Sequence, residues 1–228
     1  MGSTTLSGTA GLSAQGAATV VVQDGSGTPL QGVTVTFAVT AGGGALTGAT
    51  PQTDAQGQAT LGDWTLGTVA GQLNSVTATV AGLPTVSFTA TPVAGPATAL
   101  VLTTAPSAVA TSGAAFATQP VVQATDLHGN AVAQAGLTVT AAIQSGGGTV
   151  SAGSTAVTDA NGTATFSGLT VTGTPGTRVL VFSAPAFTSV LSGTITLNGG
   201  PPTTIAATQG NNQTADAGTA VPVLLKRW

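Results

Sequence analysis

Apolar and hydroxyl-bearing residues alternate with a period of two along much of this chain. The clearest run is Val33-Thr34-Val35-Thr36-Phe37-Ala38-Val39, which sets Val33, Val35, Phe37 and Val39 on one face and predicts a half-buried strand. Asn74 to Val80 alternates in the same way. Thr19 to Gln23, Gln58 to Leu66 and Leu83 to Thr91 read as further strands. Asp24-Gly25-Ser26-Gly27, Gly42-Gly43-Gly44 and Asp54-Ala55-Gln56-Gly57 between them read as turns. About six or seven short strands, with turn signals roughly every 8 to 12 residues, predict an antiparallel β-sandwich. No window carries a helical period, because glycine and β-branched residues are too dense.

The pattern then starts again. Thr53-Asp54-Ala55-Gln56-Gly57-Gln58-Ala59-Thr60-Leu61 returns as Thr158-Asp159-Ala160-Asn161-Gly162-Thr163-Ala164-Thr165-Phe166, with Asp54 and Asp159 lying 105 positions apart. An offset of one small-domain length marks tandem repetition. Ala99 to Leu102 and Pro120 to Ala124 open the second copy, and Asp126-Leu127-His128-Gly129-Asn130 matches the Asp24 turn. Leu137 to Ile143 matches Val33 to Val39, Gly146-Gly147-Gly148 matches the first glycine triplet, and Arg178 to Ala184 and Val190 to Leu197 close the copy.

Pro92-Val93-Ala94-Gly95-Pro96 reads as a semi-rigid joint. The expected division is one sandwich over residues 1–94, a second over 95–200, and a remainder over 201–228. In that remainder Thr203-Thr204-Ile205-Ala206-Ala207-Thr208 repeats the strand around Leu100, which lies 105 positions before Ile205. The first copy is shorter at its front: Leu6 to Asp24 covers 18 positions, whereas Leu100 to Asp126 covers 26. Leu224-Leu225-Lys226-Arg227-Trp228 is unlike anything before it.

Composition sharpens this picture. The 42% of hydrophobic residues includes 6 Phe, 2 Trp and no Tyr, so the cores should be thin and aliphatic. Charged residues make up 4%, against roughly 25% in ordinary globular chains. The surface is therefore built of Thr, Ser, Gln, Asn and Gly, and a net charge of −3 without a basic patch excludes nucleic acid as a partner. The absence of cysteine excludes disulfides and Cys-based zinc sites. No run approaches the roughly 18 to 20 apolar residues of a membrane span, and Met1-Gly2-Ser3-Thr4 does not open a signal peptide.

The order of parts resembles the bacterial Ig-like (Big-like) domains of invasin and intimin adhesins. The residues that carry the resemblance are Val22 to Phe37, the triple glycine, and Thr53-Asp54-Ala55-Gln56-Gly57-Gln58-Ala59, with their second copies at Thr125 to Thr140 and Thr158 to Ala164. It covers about residues 19 to 198, together with the short segment after Pro202. The resemblance implies an all-β fold of tandem antiparallel Ig-like sandwiches, forming extended rods on the cell surface while separate tip domains bind.

Chemistry is sparse. Asp24 with Gly27, Asp54 with Gly57, Asp126 with Gly129, and Asp159 with Gly162 fit turns in which the carboxylate caps backbone N–H groups and the glycine takes positive φ. Asp54 and Asp159 are weak calcium candidates, because a Ca²⁺ site wants several oxygen ligands and each turn offers one carboxylate. His128, the only histidine, has no nucleophile that spacing singles out. The glycine triplets lack the Lys-Ser/Thr of a phosphate loop, and with no Glu and six scattered Asp no glycosidase pair emerges. No catalytic residue, cofactor or metal site is therefore expected.

The leading expectation is a non-catalytic, extracellular or cell-surface structural module, whose partners are neighbouring domains of a longer surface protein or other copies of itself. A second is a filament subunit. In it Thr203, Thr204, Ile205, Ala206, Ala207 and Thr208, together with Val221 and Val223, would add as a strand to the first domain of the next subunit. A phage virion decoration or tail module is a third.

Overall fold

The computed structural model describes residues 4–202, 204–206, 217 and 218. It is all-β, with no helix among the described residues. The residues proposed for strand exchange at Thr203, Ala207, Thr208, Val221 and Val223, and the tail from Leu224, lie outside the described residues. Thr204, Ile205 and Ala206 are described and carry no strand.

Two hydrophobic clusters organise the chain. The first joins buried residues from Ala18 to Ala90, and the second joins buried residues from Leu100 to Leu197. The first sandwich contains β1 (Thr5–Leu6), β2 (Thr19–Val21), β3 (Thr36–Ala41), β4 (Ala45–Thr47), β5 (Gln58–Thr60), β6 (Asp63–Thr65), β7 (Asn74–Thr79) and β8 (Val86–Ala90). One sheet runs β1-β8-β7-β3, facing the pair β2-β5, with β4-β6 alongside. Alternation drives the packing: in β7, Asn74, Val76 and Ala78 are buried while Ser75, Thr77 and Thr79 are half-buried. Phe37 and Phe88, on either side of β7 in the same sheet, approach with ring centroids 6.4 Å apart. Trp64 is 3% exposed and belongs to this core.

The second sandwich contains β9 (Ala99–Thr104), β10 (Val109–Thr111), β11 (Val121–Thr125), β12 (Thr138–Ser145), β13 (Thr149–Ala152), β14 (Thr155–Val157), β15 (Thr163–Thr165), β16 (Thr170–Thr172), β17 (Gly176–Ser183), β18 (Val190–Leu191) and β19 (Ile195–Asn198). One sheet runs β10-β19-β17-β12-β14, facing β15-β11-β9. Phe166 and Phe182 pack edge to face at 5.3 Å in its core.

The sheets are not wholly antiparallel. β1 runs parallel to β8, and β10 runs parallel to β19. In both copies the early strand completes the sheet beside the last one, a pairing that the local two-residue period does not reveal. A shared irregularity shows how closely the copies correspond: the register shifts between Val39 and Ala41 in β3 and between Ile143 and Ser145 in β12, just before each glycine triplet. The copies differ at one edge. β11 is flanked by β15 and β9, whereas β2 pairs only with β5 among the described residues.

Candidate functional site at the joint between the sandwiches

The four D-x-x-G segments fold identically. In each, one Asp carboxylate oxygen accepts the backbone N–H groups two and four residues on: Ser26 and Thr28 for Asp24, Gln56 and Gln58 for Asp54, His128 and Asn130 for Asp126, Asn161 and Thr163 for Asp159. The fourth residue is glycine at φ between 70° and 86°. Side chains rarely adopt that region, and a Cβ on Gly57 or Gly162 would also strike the backbone carbonyl of Val22 or Val132. The residue before the Asp has its own task in three of the four, and at Asp126 it is the Thr125 hydroxyl, which donates to the Ala99 carbonyl at 3.4 Å. The Thr53 hydroxyl donates to the Leu30 carbonyl and accepts from the Val33 N–H, and Thr158 does the same with Gln134 and Leu137. Thr53 and Thr158 are both buried, so each ties the turn to the segment that leads into β3 or β12, its lateral neighbour in the same sheet.

Asp54 and Asp159 occupy equivalent turns of different sandwiches and are not brought together. Asp24 is exposed, and hydrogen bonds from the Ser26 hydroxyl and from the Thr28 and Ser26 N–H groups hold its carboxyl below the usual range. Among the described residues no group of three or more His, Asp or Glu side chains converges.

Asp126 is the exception. It is 3% exposed, because its turn is pressed against the first sandwich at the Pro-bounded joint. Its second carboxylate oxygen accepts the Gly95 N–H of the joint at 2.9 Å and the Asn130 side-chain amide at 2.9 Å. The same Asn130 amide reaches across: its nitrogen donates to the Thr68 carbonyl and its oxygen accepts the Ala70 N–H, both at 2.9 Å. Burial alone would push the Asp126 carboxyl up. The hydrogen bonds from the Asn130 side chain and from the Gly95, Asn130 and His128 N–H groups outweigh it and hold the pKa at about 2.

The receiving loop is itself stapled. The Asn74 side chain accepts the Gly67 N–H at 2.8 Å and donates to the Gln72 carbonyl, shaping Gly67 to Gly71 for the contact. The His128 ring lies over Gly11, so closely that a Cβ there would collide with it. Two cavities flank the contact. One, of about 330 Å³, lies between the glycine triplet Gly42 to Gly44, Gly67, Val69 and His128; the other, of about 200 Å³, lies between Ala10, Leu12, Pro96 and Leu127. The second is lined by both Asp126 and His128, and neither lining brings together three His, Asp or Glu side chains.

Sequence reasoning treated the Asp126 turn as a copy of the Asp24 turn and missed Asn130, Asn74, Thr53 and Thr158. One signal was available: where the first copy ends its turn with Thr28, the second ends it with Asn130, a side chain that can donate and accept at once. Arg178 holds the place of Asn74 in the second sandwich. It is buried at 4% exposure and donates to the Thr174 and Thr177 carbonyls, so this cation caps a loop and is not displayed.

Fold and site together define a tandem all-β sandwich protein with a hydrogen-bonded joint. No family model and no curated protein matches the chain. Among solved structures it is similar to the D0-D1 domain of intimin, at 20% identity over 85% of this chain and 96% of that one, with a TM-score of 0.35. It is also similar to the Yersinia pseudotuberculosis adhesin InvE, at 23% identity over 86% of this chain and 56% of that one, with a TM-score of 0.36. A glycosyl hydrolase family 2 member from Bacteroides cellulosilyticus shares 15% identity over 72% of this chain and 21% of that one, at a TM-score of 0.37.

Proposed function

We propose that this chain is a non-catalytic spacer of a bacterial surface protein, in which two sandwiches are held in one orientation to carry neighbouring parts outward. The observation that supports the reading is the Asn130 clamp. A flexible tether needs no side chain bonded to two backbone groups of the other domain, whereas a spacer that must keep its reach does. The surface composition fits the same role, since with 4% charged residues few ion pairs are exposed to changes in external salt.

Surface placement is tested by labelling intact source cells with antibody raised against the chain. Label on intact cells that external protease removes is expected. Label that appears only after lysis overturns the surface reading.

A further inference from the structure

In the second sandwich one side-chain amide is folded into the structure. The Gln119 amide nitrogen donates to the Phe116 carbonyl at 2.9 Å and, at 3.5 Å, to the Leu169 carbonyl, while its oxygen accepts the Leu169 N–H at 2.9 Å. It thereby ties the segment ahead of β11 to the segment ahead of β16. Matching backbone bonds fix the equivalent position in the first sandwich. Ala14 donates to the Trp64 carbonyl as Phe116 does to that of Leu169, and Leu61 donates to the Ala18 carbonyl as Phe166 does to that of Pro120. Ala17 therefore stands at the place of Gln119, and the Ala14 carbonyl and the N–H and carbonyl of Trp64 stand where the amide finds its partners.

The Ala17 methyl can bond none of these groups. At this place the first sandwich has a cavity of about 140 Å³, whose lining includes Ala14, Ala17, Gly62, Asp63 and Trp64. Ala14 and Leu61 also stand where the second sandwich has Phe116 and Phe166, which leaves more room. Ala17 and Gly62 are exposed, so the cavity opens to solvent between them, while Trp64 on its inner side is buried. A peptide N–H and carbonyl at such a wall call for an acceptor and a donor presented together.

We propose that this cavity binds a primary carboxamide, the side chain of a glutamine in a partner peptide, in the pose that Gln119 takes in the second sandwich. The ligand oxygen accepts the Trp64 N–H, and the ligand nitrogen donates to the Ala14 carbonyl. A primary amide carries an N–H on the same side as its oxygen, so it can serve both groups at once. A trans secondary amide carries its substituent on that side instead, which excludes peptide backbone and acetamido groups. Asp63, where the second sandwich has Gly168, adds a second selection. Its carboxylate lines the cavity, with Oδ2 accepting the Thr65 hydroxyl at 3.2 Å, and it repels a glutamate side chain while tolerating the neutral amide. The whole site lies within the first sandwich, so the inference stands or falls apart from the spacer reading.

Isotope-labelled full-length protein is titrated, with nuclear magnetic resonance as the readout, against N-acetyl-glutamine N-methylamide, whose only primary amide is its side chain. The glutamate analogue and the analogue methylated on the side-chain nitrogen are titrated beside it. Saturable movement of the Trp64 backbone N–H signal in the millimolar range is expected with the glutamine probe, and binding at least about tenfold weaker with the other two. Ala17→Gln should move the same signal without ligand and abolish the response, because the cavity is then filled from within as in the second sandwich. No movement with the glutamine probe, equal binding of either analogue, or an undiminished response in Ala17→Gln each overturns the proposal. The comparison of probes needs no substitution, so it decides the matter even where Ala17→Gln fails to fold.

Discussion

Replacing Asn130 by Ala removes three hydrogen bonds and no apolar core. Two of them join the sandwiches, to the Thr68 carbonyl and the Ala70 N–H, and the third goes to the Asp126 carboxylate. A neutral bond contributes a net of about 0.5–1.5 kcal/mol, and one to a charged group about 1.5–3 kcal/mol. Asn130 is half-buried, so water can replace part of what is lost, and the low end of these ranges applies. The two bonds that cross leave about 1 kcal/mol of coupling between the sandwiches, and the bond to Asp126 belongs to the second sandwich alone. In a coupled pair the first sandwich to unfold loses the coupling and the second unfolds without it. Calorimetry of Asn130→Ala should therefore lower the first transition by roughly 4–8 °C through the lost coupling, at about 4–8 °C per kcal/mol for domains of this size, while the lost Asp126 bond lowers the transition of the second sandwich besides. Thr28→Ala, at the equivalent position of the exposed Asp24 turn, is the control and should move neither transition by more than about 3 °C. Equal shifts from both variants, or no shift from Asn130→Ala, would refute a clamp at the joint.

Two further predictions concern the turns. The Asp126 carboxyl titrates near 2 in the folded chain against 3.8 when free, so its contribution of about 2 kcal/mol is complete above pH 4 or so. It is lost as the pH falls from about 4 to 2, and acid titration of unfolding should show this loss in the wild type and not in Asp126→Asn. Thr53→Val and Thr158→Val each leave a half-buried carbonyl and N–H without their hydroxyl partner; each should destabilise its own sandwich by about 1–2 kcal/mol in denaturant titrations and leave the other unchanged.

The strands and their turns were legible because their causes are local. Val35 and Phe37 alternate with threonines, and Asp54 with Gly57 carries its own turn within five residues. The 105-residue offset added the second copy. What the local pattern hides are side chains whose partners are remote in sequence. Thr53 reads as a turn residue until Leu30 and Val33 are seen to converge on its hydroxyl. Asn130 reads as the end of a turn until Thr68 and Ala70, more than 50 positions earlier, meet its amide. Burial of Asp126 also depends on how one sandwich seats on the other, whereas the identical Asp24 turn stays in solvent. The parallel placement of β1 and β10 escaped for a similar reason: these short segments are specified by the last strand of each sandwich, not by their own alternation.

The central claim is that the two sandwiches keep one orientation. Ala55 and Ala160 are exposed and occupy equivalent turns of the two copies, so spin labels on cysteines introduced there report the joint directly. Pulsed electron paramagnetic resonance on the doubly labelled chain should give a single narrow distance distribution that broadens in Asn130→Ala. A broad distribution in the unaltered joint, or one that Asn130→Ala leaves untouched, would contradict the account.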